Sequence, residues 1–329
     1  MRLIGGLVSL ILFLAVGGAG SALWVNDYVN RPGPLAEQIV FEVLPGSSVD
    51  AIATVLKSHG IITNVFLFNV AKQIFLQGES LKAGEYAIPV GASVRDVLKI
   101  LAVGAALSRR LMIPEGLTSA EVAALVDKAV GLTGKVEGRP AEGSLLPETY
   151  YFTKGDTRAS VVARMEKALH DAVNELWPGR AEGLPFDSPE SALILASIVE
   201  KETGVASERA HVAGVFVNRL DKGMRLQSDP TVIYGLTDGD GALGRSLTRA
   251  DLDRDHPYNT YRIPGLPPGP IANPGRASIA AVLNPLDTED LFFVADGNGG
   301  HVFARTLNEH NRNVAKWRRA RAEAAKAGN

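Results

Sequence analysis

The 329-residue chain has no cysteine. That excludes disulfides, thiolate metal sites and a cysteine nucleophile. It agrees with an extracytoplasmic protein, although many cytosolic chains also lack the residue. Histidine is scarce: the six residues are scattered, with no H-E-x-x-H run and no close pair, which argues against a His-based metal centre. No G-x-S-x-G elbow is present, so one common route to a serine nucleophile is missing. Asp296-Gly297-Asn298-Gly299-Gly300 lacks the spaced acids of a calcium loop. The formal net charge is only -2, which leaves no nucleic-acid footprint. No cofactor, no metal and no nucleic-acid partner are therefore expected.

What the chain does have begins at its N-terminus. Leu3 to Val25 carries no charged residue and is long enough to cross a bilayer as a helix. Arg2 and the free amine precede it and Asp27 follows, an asymmetry that predicts the N-terminus inside and the remainder outside. A cleaved signal peptide is the alternative, with Gly20-Ser21-Ala22 supplying small residues. The apolar run is long for such a peptide, so residues 1–26 are expected to anchor the chain.

Residues 27–34, ending in Arg31-Pro32-Gly33-Pro34, are expected as a stiff spacer. Three strand–turn–helix units follow. Their strands are Ile39–Leu44, Tyr86–Ile88 and Arg110–Ile113, and their helices Val49–Ser58, Val94–Leu101 and Ser119–Val130. Ser93 with Asp96, and Thr118 with Glu121, have capping-box spacing. The units are unevenly spaced, so the pattern is not a solenoid. A long helix is predicted from Arg158 to Trp177 and another from Ser188, where Ser188-Pro189-Glu190 supplies a cap, a first-turn proline and an acid. Pro257 to Gly275 is rich in proline and glycine and predicts no regular structure, either as disorder or as an ordered cleft wall.

Chemistry concentrates in Ile198-Val199-Glu200-Lys201-Glu202-Thr203. At about one hundred degrees per residue, Leu195, Ile198 and Val199 share one helix face. Glu202 extends that apolar stripe, whereas Glu200 projects elsewhere. The geometry nominates Glu202 as a partly desolvated acid with a raised pKa and Glu200 as a supporting neighbour. A surface Glu-Lys-Glu at a helix end fits the same spacing. Nearby segments offer Asn218, Gln227, Asp229, Thr231, Tyr234, Asn259 and Tyr261. Amides, hydroxyls and aromatic rings with few cations suit a neutral sugar polymer, bonding its hydroxyls and stacking on its rings. Gln227 and Asp229 fit a structural turn equally well. Glu148 could border a cleft or serve as a turn acid.

The resemblance becomes specific when these segments are taken together. Ser197–Thr203, Val205-Ala206-Ser207-Glu208, Val215–Leu220, Met224–Gly235, Tyr258-Asn259-Thr260-Tyr261, Gly265–Ile271 and Phe293–His301 resemble, in this order, the endolytic murein transglycosylase family of YceG-like proteins. The first two strand–turn–helix units are similar to a LysM-like domain, which would either bind carbohydrate or only pack.

The resemblance implies an α+β fold: an N-terminal transmembrane helix, a small LysM-like module over 35–107, a larger mixed catalytic domain over 108–315 and a charged tail over 316–329. It places Glu202 as the catalytic acid. It implies a lyase that cuts the MurNAc–GlcNAc β-1,4 bond inside nascent peptidoglycan strands and leaves 1,6-anhydro ends. The expected location is the bacterial inner membrane, single-pass, with the N-terminus cytoplasmic and the catalytic domain periplasmic. Peptidoglycan synthases are expected partners. A hydrolytic muramidase using the same acid, or a tethered peptidoglycan-binding scaffold without turnover, are the rival readings.

Overall fold

The computed structural model describes residues 2–104 and 107–327. Met1 and the side chains of residues 2–12, 14 and 15 of the expected anchor lie outside the described residues. So do residues 105 and 106, at the end of the expected module, and, in the expected tail, residues 328 and 329 and the side chains of residues 324–327. The chain divides into two compact units, Met1–Arg109 with Tyr151–Gly155, and Arg110–Tyr150 with Asp156–Asn329.

The first unit contains α1 (Arg2–Asn30), β1 (Ile39–Val43), α2 (Val49–Ser58), α3 (Val65–Phe75), β2 (Gly84–Ile88) and α4 (Val94–Val103). β1 and β2 pair antiparallel with Phe41 opposite Tyr86. Alternation along the strands sends Phe41, Val43, Tyr86 and Ile88 into the core, where they meet Leu56, Phe68 and Leu98 from the helices. Ser48 caps α2 by accepting from the Ala51 amide, and Ser93 with Asp96 closes a capping box on α4. The helix α3, absent from the sequence reading, is capped by Asn64.

The last turn of α1 is part of this core: Tyr28 and Val29 are buried, and the Tyr28 hydroxyl bonds Thr63 Oγ1 at 2.9 Å. Gly33 N donates to the Gly91 carbonyl and Gly91 N to that of Leu35. The segment read as a spacer is thus packed into the unit, because its aromatic and aliphatic side chains have a core to enter. Among the described residues no helix is long and apolar enough to cross a membrane.

The remainder of the chain, all of it second unit except Arg109 and Tyr151–Gly155, forms β3 (Arg109–Met112), α5 (Ser119–Lys128), β4 (Thr149–Phe152), α6 (Arg158–Leu176), α7 (Pro189–Glu202), α8 (Arg209–Asp221), α9 (Asp229–Thr237), α10 (Arg249–Asp253), α11 (Arg276–Leu283), β5 (Phe292–Ala295), β6 (His301–Ala304) and α12 (Leu307–Ala327). β3 pairs with β4. β5 and β6 form an antiparallel hairpin, with Phe293 opposite Phe303. Helix α7 is central. Leu195, Ile198 and Val199 on α7 are fully buried against Val212 and Phe216 of α8 and Ile279 and Val282 of α11.

Residues 257–275 carry no helix or strand, as the prolines predict, yet Asn259, Thr260, Ile271, Ala272 and Asn273 are buried. Polar side chains do the ordering. Asn273 Nδ2 donates to the Leu117 carbonyl and its Oδ1 accepts from Leu145 N. Ile271 N donates to Ser197 Oγ on α7.

Candidate active site

Helix α7 delivers its last residue, Glu202, to the edge of a cleft of about 450 Å³. Ser188 caps the helix by accepting from Ser191 N, Pro189 opens it, and Thr203 ends it. The apolar face that buries Ile198 and Val199 places the carboxyl three and four residues further along the same side. The side chain is half-buried. Its Oε1 accepts a 2.5 Å hydrogen bond from Ser228 Oγ. Burial raises the Glu202 pKa from 4.5 to about 7, and the charge of Asp229 pushes the same way. The Ser228 hydroxyl, His301 and Arg219 oppose the rise. A carboxyl poised there holds a proton near neutral pH and can also release it.

Ser228 is itself fixed by a buried network of hydroxyls. Its amide donates to Thr260 Oγ1 at 2.9 Å and its carbonyl accepts from Thr231 Oγ1 at 2.7 Å. The two threonine hydroxyls lie 2.8 Å apart, and Gln227 N donates to the Thr260 carbonyl. The loop before α9 and the Tyr258–Tyr261 loop are thereby stitched together beneath the acid. Buried hydroxyls with all partners in place lose little on ordering and hold their neighbour to one position.

The polar edge of the cleft is made by Glu202, Arg219, Gln227, Asp229, Tyr261 and His310, and Phe292 and Phe293 of β5 supply aromatic surface. Asp229 Oδ1 accepts from the Tyr261 hydroxyl at 2.6 Å, which with burial raises the tyrosine pKa. Arg219 is buried. Its Nε donates to the Leu291 carbonyl and its Nη1 to that of Leu226, both at 2.6 Å, and the guanidinium lies over the Phe292 ring. Burial lowers its pKa. Among the described residues no group of three His, Asp or Glu side chains could hold a metal ion. A larger hollow of about 760 Å³ lies between α6 and the first half of α7, and Glu202 is not among its lining residues.

The residues singled out from sequence separate into two groups. Glu202, Gln227, Asp229 and Tyr261 meet at the cleft. The others do structural work nearby. Glu200 turns away: its Oε2 accepts from Gly275 N, the cap of α11, and its Oε1 faces Arg209. Asn218 Nδ2 donates to the Thr288 and Asp290 carbonyls. Asn259 is buried, with Nδ2 on the Leu252 and Arg254 carbonyls. Thr231 is buried in the hydroxyl network. Tyr234 packs on Tyr258, with ring centroids 4.8 Å apart, and does not line the cleft. Glu148 is exposed beyond the cleft lining, and its backbone carbonyl accepts from Ile113 N. These amides and the Thr231 hydroxyl are spent on main-chain and side-chain partners, which is why polarity alone misplaced them at the ligand surface.

Sequence reasoning gives no individual role to Ser228, Thr260, Phe292 or His310. Ser228-Asp229-Pro230 puts a serine, an acid and a proline at the start of α9, as Ser188-Pro189-Glu190 does for α7, although the Ser228 side chain makes no cap bond. His310 had no local signal, since α12 brings it to the cleft from far along the chain.

A half-buried carboxyl held at a helix end by a hydroxyl network, beside a cleft with aromatic and amide groups, can hold and release a proton next to a bound ligand. The chain belongs to the YceG-like family, whose model matches residues 41–316. It is 32% identical over 307 residues to the endolytic murein transglycosylase of Bacillus subtilis strain 168, covering 83% of this chain and 82% of that one. It is 28% identical to the endolytic murein transglycosylase of Streptococcus pneumoniae strain D39, over 94% of this chain but 64% of the longer relative. A solved YceG-like protein from Listeria monocytogenes superposes with a TM-score of 0.50 at 32% identity, covering 84% of this chain and 99% of the other.

Proposed function

We propose that the chain is an endolytic murein transglycosylase, a lyase that cuts the β-1,4 bond between N-acetylmuramic acid and N-acetylglucosamine within peptidoglycan strands. The observation that carries this reading is the Glu202 carboxyl, held at the cleft by Ser228 with its pKa raised by burial to about 7. The protonated acid gives its proton to the glycosidic oxygen as the C1–O bond breaks. The resulting carboxylate then takes the proton from the muramoyl C6 hydroxyl, whose oxygen closes on C1. The product is a 1,6-anhydro end, no water is consumed and Glu202 regains its proton. One group acting as acid and then as base needs a pKa near the working pH.

Gln227, Asp229 and Tyr261 are the groups proposed to position the sugar, and Phe292 and Phe293 to pack against it. The β1–α2–α3–β2 order with paired outer strands supports a LysM-like reading of the first unit. The uncharged run from Leu3 to Val25 supports single-pass anchoring in the inner membrane, with the catalytic unit periplasmic. Such an enzyme would cut nascent strands, limit their elongation and work beside the peptidoglycan synthases.

The second carboxylate in the cleft, Asp229, favours one rival: a hydrolase that activates water on the opposite side of the bond. Mass spectrometry of glycan strands digested by the full-length chain separates the readings. Anhydro-ended fragments, lighter by one water, support the lyase. Reducing ends support the hydrolase, and binding without cleavage supports a scaffold.

A further inference from the structure

We propose that Glu208 and His301 form a positioning pair for Glu202, with the Glu208 carboxylate bracing the end of α7 and the start of β6 around the acid. The inference rests on the reading of Glu202 as the general acid. Glu208 closes the short 3-10 turn Ala206–Glu208 that joins α7 to α8. Both of its oxygens are used. Oε1 accepts from His301 N at 2.9 Å, and Oε2 accepts from His301 Nδ1 at 2.8 Å and from Thr203 Oγ1 at 3.4 Å. Thr203 directly follows Glu202, and its hydroxyl in turn accepts from Val205 N at 3.0 Å.

The other side of the imidazole completes the connection. The His301 ring meets Phe293 edge-on, with centroids 5.3 Å apart and planes at 87°, and Phe293 lines the cleft. One carboxylate therefore couples the residue after the acid to the ring that forms the aromatic wall. With Nδ1 bonded to Glu208, the imidazole is held in one orientation against Phe293.

The pair also acts on the acid through charge. A protonated His301 favours the carboxylate form of Glu202. The other groups that face Glu202 are Ser228, Arg219 of α8, Asp229 of α9 and Tyr261, and His310 of α12 shares the cleft. Asp229 strengthens the hold on the proton, while Arg219 and His301 weaken it. Arg219 is fixed by main-chain carbonyls, so His301 is the group opposing the Glu202 proton whose position depends on a neighbouring carboxylate. Exposed hairpin links such as Arg305–Glu289 brace the same strands without facing the acid.

The test is kcat and KM against pH for the full-length chain carrying Glu208→Ala, Glu208→Gln or His301→Gln, with Glu289→Gln as the hairpin control. A misplaced acid lowers kcat by about tenfold to a hundredfold in Glu208→Ala and His301→Gln, with KM held within about twofold. The basic limb of the profile moves to higher pH in both, because His301→Gln removes, and Glu208→Ala releases from its place, the imidazole that lowers the Glu202 pKa. Glu208→Gln, which keeps one acceptor, falls between, and Glu289→Gln matches wild type. Should Glu208→Ala fail to fold, His301→Gln carries the same two readouts. Unchanged kcat, or an equal loss at every pH with an unmoved basic limb, overturns the proposal in favour of a plain structural brace. A wild type that yields no anhydro ends overturns the functional reading and this inference with it. An active wild type with unmoved variants overturns this inference alone.

Discussion

Replacing Glu202 by Gln keeps the shape of the side chain and removes its titration, so the variant measures what the folded protein does to that proton. Burial raises the Glu202 pKa from 4.5 to about 7. The folded chain then binds the proton more tightly than the unfolded chain does. The stabilisation this gives is complete below about pH 4.5 and is lost as pH rises through about 7. At about 1.4 kcal/mol per unit, the shift from 4.5 to about 7 corresponds to about 3 kcal/mol, and solvent at the half-buried side chain trims it to about 2–3 kcal/mol. Gln cannot ionise and escapes the loss. Denaturant unfolding followed by Trp177 and Trp317, both in the second unit, reads the difference. The variant should gain about 2–3 kcal/mol over wild type between pH 4 and pH 8. An offset that stays the same at both pH values would show that the fold does not hold the proton, and the acid argument would lose its basis.

Three further outcomes follow from neighbouring geometry. Ser228→Ala removes the 2.5 Å donor to Glu202 Oε1, and losing a hydrogen bond to a charged group moves the basic limb of kcat/KM up by about one pH unit; an unmoved limb would mean that the hydroxyl does not tune the acid. Gln227 has a φ of +52°, so Gln227→Gly relieves about 1 kcal/mol of backbone strain and raises the melting temperature while KM increases; a stabilised variant with unchanged KM would remove Gln227 from sugar binding. A Cβ at Gly33 would meet the Ala92 carbonyl oxygen, so Gly33→Ala should destabilise the first unit by more than about 1 kcal/mol, measured as an earlier loss of helical circular dichroism.

Local rules carried the reading of the fold as far as local chemistry decides. The Ser93–Asp96 and Thr118–Glu121 boxes both form, and α6 and α7 begin and end close to where caps and apolar spacing put them. Residues 59–85 are assigned no element from sequence, although Asn64 supplies the cap on which α3 starts. Helix α9 begins after Ser228 with no side-chain cap bond, since the Ser228 hydroxyl goes to Glu202, so its polar residues read as ligands rather than as a helix start. The site divides the same way. Glu202 was legible from helical arithmetic, since one face of α7 decides its burial. Asn218, Asn259 and Thr231 were not, since only the tertiary fold shows that their polar groups meet main chain or neighbouring hydroxyls.

The most direct measurement is a side-by-side digest of purified glycan strands by wild type and Glu202→Gln, with anhydro-ended internal fragments counted by mass spectrometry. General-acid catalysis by Glu202 requires anhydro-ended fragments from wild type and a rate lower by about 10²–10⁴-fold in the variant, the usual loss when a general acid is removed. Anhydro ends formed by Glu202→Gln at the wild-type rate would contradict it.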